Sequence, residues 1–249
     1  MNMMSGRYSV MAYWGPRRED PDMLAARLAR TLQALSPIHP DLANWIVYPV
    51  EESDLRSGPF GHVDLARMIA AGVSRADNGD PTPVEGYTVW ARNEPVPTPR
   101  WVGLTVRAGS TLRIRAKVNV VDLLTAPLSA ANVTLITAPV MQDIVLTLAS
   151  IWDATWCSAE PCLILDRRPE RRPKKPWFSQ AWITFLSARF APLVTPPRSV
   201  ISEHTPRGDL LMTATEERFD LDDPDHMAAA LEIEDALAPV NALSWPQPE

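Results

Sequence analysis

The chain has 249 residues and a formal net charge of −6 at pH 7, with 46% hydrophobic and 22% charged residues. These values are typical of a globular protein and exclude wholesale disorder. No apolar run approaches about 18 residues and no apolar stretch of about 7–15 residues stands near the start, so we expect neither a membrane-spanning helix nor a secretory signal. Composition therefore predicts a soluble, cytoplasmic protein. Its two cysteines, Cys157 and Cys162, match no zinc or redox spacing, and we expect both to be reduced.

The first half of the chain alternates strand and helix signals. Asp20 followed by Pro21 has the pattern of an N-cap with a proline in the first turn, so we expect a helix to begin there. Leucines recur through that helix at helical spacing and give it one apolar side. The predicted elements are, in order, a strand at 7–14, a helix at 21–35, a strand at 45–48, a helix at 63–73, and strands at 86–93 and 102–106.

The strongest alternation in the chain follows a turn at residues 108–110. Apolar residues face one side of this segment and polar or charged residues face the other: Leu112, Ile114, Ala116, Val118 and Val120 against Thr111, Arg113, Arg115, Lys117 and Asn119. A period of two residues predicts a half-buried antiparallel strand with one wet face.

The second half of the chain contains two further helix signals. One helix opens at Thr137 and Pro139 and runs to Trp152, and the other opens at Asp223. Further strands are predicted at 163–165, 182–187 and 209–215. Strands that follow one another in sequence favour an α+β fold, with a mainly antiparallel sheet and helices packed on it. We expect a single large domain over residues 1–249, and a weak subdivision near residue 130 is the alternative.

Linear motifs for catalysis and cofactor binding are missing from the sequence. It contains no G-x-G, no phosphate-binding loop and no nucleophile elbow, so nothing predicts a dinucleotide, nucleotide or serine hydrolase site. The four histidines each stand more than twenty positions apart, which is not the spacing of a zinc-binding helix. We therefore predict no catalytic, cofactor-binding or metal-binding residues and no cofactor.

Negative charge is concentrated near the C-terminus, where residues 203–249 contain twelve acidic and two basic residues. Six of the acids form an acidic cluster within ten positions: Glu216, Glu217, Asp220, Asp222, Asp223 and Asp225. Helix capping with solvation, contact with a basic partner and metal binding are three interpretations of this cluster. His226 follows in the first helical turn, and we expect its imidazole at the surface or facing a partner.

Positive charge is concentrated in a basic segment just before residue 178. Six basic residues occupy nine positions and an aromatic pair follows: Arg167, Arg168, Arg171, Arg172, Lys174 and Lys175, then Trp177 and Phe178. Prolines interrupt the segment, so it is no regular helix. A solvated extended loop, a nucleic-acid contact and a protein interface all fit this pattern.

Six short motifs occur along the chain: YWGPRR at 13–18, ANW at 43–45, WITFLS at 182–187, GDLL at 208–211, ATEERFD at 214–220 and ALAPVN at 236–241. In this order they resemble the bacterial immunity protein 52 family. The resemblance spans most of the chain and is weakest between residues 50 and 180.

This resemblance implies an α+β antidote, not an enzyme, that binds and neutralises a cognate secreted toxin by protein–protein contact. Toxins paired with such proteins commonly carry a restriction-endonuclease-like nuclease domain and are often delivered by type VI secretion. The implied partner is the toxin alone, with no membrane and no direct nucleic acid. Two alternatives stay open: an enzyme whose site has no linear motif, and a nucleic-acid-binding module using residues 167–175. The oligomeric state is open as well.

For toxin binding we expect the acidic cluster of residues 216–225, because its carboxylates can mimic the phosphates that a nuclease groove binds. The alternative surface is the basic segment. Its mixture of arginine and aromatic groups is typical of interface hot spots: Arg167, Arg168, Arg171, Arg172 and Trp177.

Overall fold

The computed structural model describes residues 4–48, 56–57, 62–114, 117–167, 178–179 and 181–243. Within these ranges ten strands form one sheet and five helices accompany it. The strands are β1 Tyr8–Trp14, β2 Ile46–Tyr48, β3 Arg56–Ser57, β4 Tyr87–Arg92, β5 Val102–Ala108, β6 Asn119–Thr125, β7 Trp156–Pro161, β8 Ile183–Leu186, β9 Ile201–His204 and β10 Leu210–Thr213. The helices are α1 Pro21–Leu35, α2 His62–Ala71, α3 Ala138–Trp152, α4 Pro224–Ala236 and α5 Ala238–Asn241.

The strands lie in the order β3-β2-β4-β5-β6-β1-β7-β8-β10-β9, and each neighbouring pair is antiparallel. Strand β1 lies in the middle, between β6 and β7. Strands from both sides of residue 130 therefore pair in the same sheet. The predicted α+β fold with a mainly antiparallel sheet is confirmed.

Two helices begin where their capping residues predict. The Asp20 side chain accepts a hydrogen bond from the Met23 N–H at 2.9 Å at the start of α1. The Asp223 side chain accepts from the Asp225 N–H at 2.9 Å at the start of α4. Each cap satisfies an N–H group that the first helical turn cannot pair internally, so the local sequence alone determines these two boundaries.

Helices α1, α2 and α3 cover one face of the sheet. Helix α3 contacts β1, β7 and β8, while α1 contacts both α2 and α3. The Trp152 ring of α3 stacks on the Trp14 ring of β1 with centroids 5.1 Å apart, and both rings are fully buried. The Trp152 indole N–H donates to Thr31 Oγ1 of α1 at 3.0 Å. These contacts join the sheet, α3 and α1 at one point in the core.

Four charged residues surround the C-terminal end of α3. The buried Glu19 carboxylate lies 3.2 Å from the Arg17 guanidinium and 3.0 Å from that of Arg27. Both arginines also donate to the last two carbonyls of α3 and lie within ion-pair distance of Asp153. Asp153 ends the helix in the left-handed conformation, with φ of 47°. The two arginines thus pair a buried carboxylate and satisfy helix carbonyls that would otherwise lack donors.

The second face of the sheet, opposite α1–α3, is covered on one half only. Every residue of β7, β8 and β10 is buried. Along β4 and β5, by contrast, buried residues alternate with residues that keep some exposure. The second face is therefore covered over β7, β8 and β10 and open over β4 and β5, with the border near β1.

The strand predicted from the alternation of Leu112 to Val120 is wrong. Residues 111–114 and 117–118 are not in a strand, and β6 begins only at Asn119. Gly109 leaves β5 with φ of 86°, a conformation that favours glycine and ends the extended run. The chain then turns back, with Ile114 half-exposed and the Lys117 N–H donating to its carbonyl. Arg115 and Ala116 lie outside the described residues.

The strand predicted at residues 163–165 is also wrong. Residues 164–167 form a short 3-10 turn, and the strand of this region is β7, which the sequence did not indicate. Cys157 and Cys162 are both free, and Cys157 is fully buried within β7. Among the described residues, no helix combines the length and the apolar character needed to cross a membrane.

We predict that Arg27→Met destabilises the protein by on the order of 3 kcal/mol, because it leaves the buried Glu19 with one arginine and removes a donor from the end of α3. Chemical denaturation measures the free energy of unfolding. The matched control is Arg30→Met on the exposed side of the same helix, which we expect to change stability by about 0.5 kcal/mol or less. Equal effects of the two substitutions would contradict the role of the network.

Candidate functional site

The acidic cluster of residues 216–225 lies between β10 and α4. Two of its carboxylates act in local folding: Asp223 caps α4, and Asp220 Oδ1 accepts the Asp222 N–H at 2.9 Å. Glu216, Glu217 and Asp225 are exposed, and their side chains are the carboxylates of the cluster best placed to meet a partner.

Phe219 anchors the acidic cluster to the fold. Its ring is fully buried, and its carbonyl accepts the Tyr8 hydroxyl at 2.7 Å. The His226 ring packs 5.5 Å from the Phe219 ring, and its Nδ1 accepts the Asp220 N–H at 3.0 Å. His226 is buried, so the predicted surface imidazole is wrong. His226 lies on the side of the first turn of α4 that faces Phe219, and its Nδ1 is the acceptor for the Asp220 N–H.

A cavity of about 480 Å³ opens beside the cluster, where β1 begins and β7 ends. Its walls carry charges of both signs: Arg7, Arg167 and Arg218 with Glu217, Asp220, Asp222 and Asp223. Arg167 pairs with Asp222 at 2.8 Å. Arg167, the first residue of the basic segment, therefore meets the acidic cluster. Arg168, Arg171, Arg172, Lys174, Lys175 and Trp177 lie outside the described residues.

Two carboxyl side chains on the second face of the sheet form a site that sequence reasoning missed. Asp122 of β6 pairs across from Met11 of β1, and Glu160 of β7 pairs across from Ser9 of the same strand. Directly paired residues and those two positions along share a face, so the two carboxyls flank β1 on one side. Tyr13 stands on that face too, stacked on Trp156 with ring centroids 4.8 Å apart. We call these two acids the carboxyl pair.

The carboxyl pair has little compensation from the rest of the protein. Within the described ranges, neither Glu160 Oε2 nor Asp122 Oδ1 has a hydrogen-bond partner, although both atoms are buried. Burial, reinforced by the charge of Asp122, raises the pKa of Glu160 to about 8. Burial raises the pKa of Asp122 to about 6, against the opposing charge of Arg107. Each acid therefore stays protonated at pH values where an exposed carboxyl group is ionised, because burial leaves its charged form poorly solvated.

One sequence signal could have found the carboxyl pair. Asp122 interrupts the apolar run of residues 120–124, and Glu160 follows the small and apolar residues 157–159. A single acid inside a strand-like apolar run is rarely buried without a reason. No group of three or more histidine, cysteine, aspartate or glutamate side chains suited to a metal ion occurs among the described residues.

The structure is that of an α+β protein whose charged side chains gather at a cavity and at an open sheet face. The chain matches the family model of immunity protein 52 over residues 6–244, and it belongs to that family. Family membership supports an immunity role. No curated protein matches the sequence.

A solved structure with a similar fold is described as the Pseudomonas aeruginosa T6SS protein PA0821. The likeness has a TM-score of 0.56 at 10% sequence identity, and it covers 94% of this chain and 74% of that one. At this identity the likeness shows the fold alone.

We predict that the wild-type protein becomes less stable as the pH rises and that Glu160→Gln abolishes this decrease. An unfolded glutamate has a pKa of about 4.3, so between roughly pH 5 and 8 the folded protein keeps a proton that the unfolded chain has released. Stability of the wild type therefore falls across this window. The variant should match the wild type near pH 5 and exceed it by a few kcal/mol near pH 9.

Urea denaturation at a series of pH values measures this difference. The control is Glu203→Gln on the exposed strand β9, which should follow the wild type at every pH. Parallel curves for wild type and Glu160→Gln would contradict the assigned pKa.

Proposed function

We propose that this protein is the antidote of a secreted toxin that carries a restriction-endonuclease-like nuclease domain, and that it neutralises the toxin by direct contact. The observation that carries the proposal is the match to immunity protein 52 over nearly the whole chain. The similar fold of a T6SS protein supports a link to type VI secretion. The protein would act in the cytoplasm, because a nuclease finds its substrate there.

The acidic cluster is the proposed contact surface. Glu216, Glu217 and Asp225 are exposed and lie beside a cavity with charged walls. A nuclease groove that binds phosphates is positively charged, so exposed carboxylates attract it and compete with its substrate. Arg167 adjoins the cluster through its ion pair with Asp222, so this residue would belong to the rim of the same contact.

We predict that co-expression of this protein rescues cells from the toxin encoded by the neighbouring gene. Growth is measured with the toxin alone, with toxin and antidote, and with the antidote and an unrelated nuclease toxin. The expected result is rescue from the neighbouring toxin only, because a specific interface discriminates among partners. Equal killing with and without this protein would end the proposal.

We predict that Glu216→Gln with Glu217→Gln slows association with the toxin by roughly three- to tenfold at low salt, with a smaller effect at high salt. These glutamates neither cap α4 nor pair with Arg167, so their loss should leave the fold intact.

Stopped-flow mixing with catalytically inactive toxin at several salt concentrations measures the association rate. The matched control is Asp77→Asn with Asp80→Asn, which removes the same charge from two exposed positions in the segment between α2 and β4. If both double variants slow association equally, only the net charge matters and the acidic cluster is not the contact surface.

A further inference from the structure

The covered half of the second sheet face meets the open half near β1, and we call this border the step. Tyr13 of β1 stacks on Trp156 of β7, and Phe178 packs edge-on against Trp156 with ring centroids 5.3 Å apart. The backbone of Phe178 is fixed by Asn241 of α5, whose side chain accepts from the Phe178 N–H and donates to the Phe178 carbonyl. These three aromatic rings therefore form a fixed wall at the edge of the open half.

The carboxyl pair lies on the same sheet face as these rings, on either side of β1. Glu160 is 5% exposed. Among the described residues, neither Glu160 Oε2 nor Asp122 Oδ1 has a hydrogen-bond partner. Two described arginines stand on the same face: Arg107 of β5, which is exposed and lowers the pKa of Asp122, and Arg7, which precedes β1. Neither forms an ion pair with Asp122 or Glu160 within the described ranges. Among the residues that the structure describes, the two buried acids have no cation within ion-pair distance, and a cation from outside would offset the cost of burying them.

The open half beyond the step has the composition of an interface core. Trp90 and Tyr48 stack with ring centroids 6.1 Å apart, and the Arg92 guanidinium lies 4.9 Å over the Tyr48 ring. Aromatic residues and arginine are enriched where protein interfaces bury most area, and they carry most of the binding energy. A protein partner fits this surface better than a small ligand, since an open sheet face offers no enclosure.

The face that carries the carboxyl pair reaches the cavity beside the acidic cluster at the start of β1. Arg7 lines that cavity and stands two positions before Ser9, the residue of β1 that pairs across from Glu160. Residues two positions apart on an extended chain share a face, so a partner that enters the cavity can extend along this face toward Glu160.

We propose that the open sheet face is a second contact surface for the toxin, and that a lysine or arginine of the toxin enters the step between Asp122 and Glu160. The partner is the toxin of the function proposed above, so this assignment stands only if that function does. The cation would find two carboxylates below it and the Tyr13 ring beside it, an arrangement that binds a cation by charge and by the ring face.

Binding of a cation requires the two acids to lose their protons, so affinity should rise with pH. Among the described residues, the charged and titratable groups near the carboxyl pair are Tyr13, Cys162, Arg107 and Arg7. Burial raises the pKa of Cys162 to about 12 and raises the pKa of Tyr13 well above its usual value, so neither changes charge between pH 6 and 9. Of these described groups, only the carboxyl pair changes charge over that range.

The test measures the affinity of purified, catalytically inactive toxin for wild-type protein and for Asp122→Asn with Glu160→Gln, at pH 6.5 and pH 8.5. The substitutions keep shape and remove charge, and circular dichroism checks that both proteins are folded. We expect the variant to bind at least tenfold more weakly at pH 8.5, and the difference to shrink to about threefold or less at pH 6.5. Glu203→Gln serves as the charge control and should match the wild type.

The outcomes separate the two proposals. If wild type binds the toxin and the double variant binds equally well at both pH values, the step is not a contact and the proposed function survives. If the variant is weaker by the same factor at both pH values, the carboxyl pair acts through shape rather than charge, and the proposed cation is wrong. If wild type does not bind the toxin at all, the proposed function falls and this assignment falls with it.

Discussion

The fold depends on the contact between the end of α3 and strand β1. Two buried indoles, Trp14 and Trp152, stack there, and Arg17 and Arg27 enclose the Glu19 carboxylate while they donate to the last carbonyls of the helix. A buried charge is tolerable only when it is paired, so these groups must come together before the core is complete. Trp14 and Arg17 of the YWGPRR segment thus have a structural role, because they fix the middle strand against the helix layer.

With the middle strand fixed, charged side chains gather in two places: the acidic cluster with its cavity, and the carboxyl pair. The acidic cluster is tied down by Phe219 and His226, which leaves Glu216, Glu217 and Asp225 exposed. The cavity beside it opens where β1 begins and β7 ends. Along the same strands lies the carboxyl pair. An antidote needs fast association and slow dissociation, and exposed charge serves the first requirement while a partly desolvated pocket serves the second.

The sequence predicted what local rules determine and missed what depends on strand order. The starts of α1 and α4 followed from Asp20 and Asp223, whose side chains bond to N–H groups two or three residues away. The alternation of residues 111–120 was a misleading signal, because Gly109 ends β5 and the apolar run of residues 120–124 forms the next strand. Asp122 and Glu160 become neighbours only because β1 inserts between β6 and β7. No pattern within one segment encodes that insertion.

Titration calorimetry of the purified protein with the inactive product of the neighbouring toxin gene tests the central claim most directly. The account predicts a saturable complex with a Kd in the nanomolar range or tighter, as protein inhibitors that must act before damage require. Absence of heat and of a complex at micromolar concentrations of both proteins would contradict it.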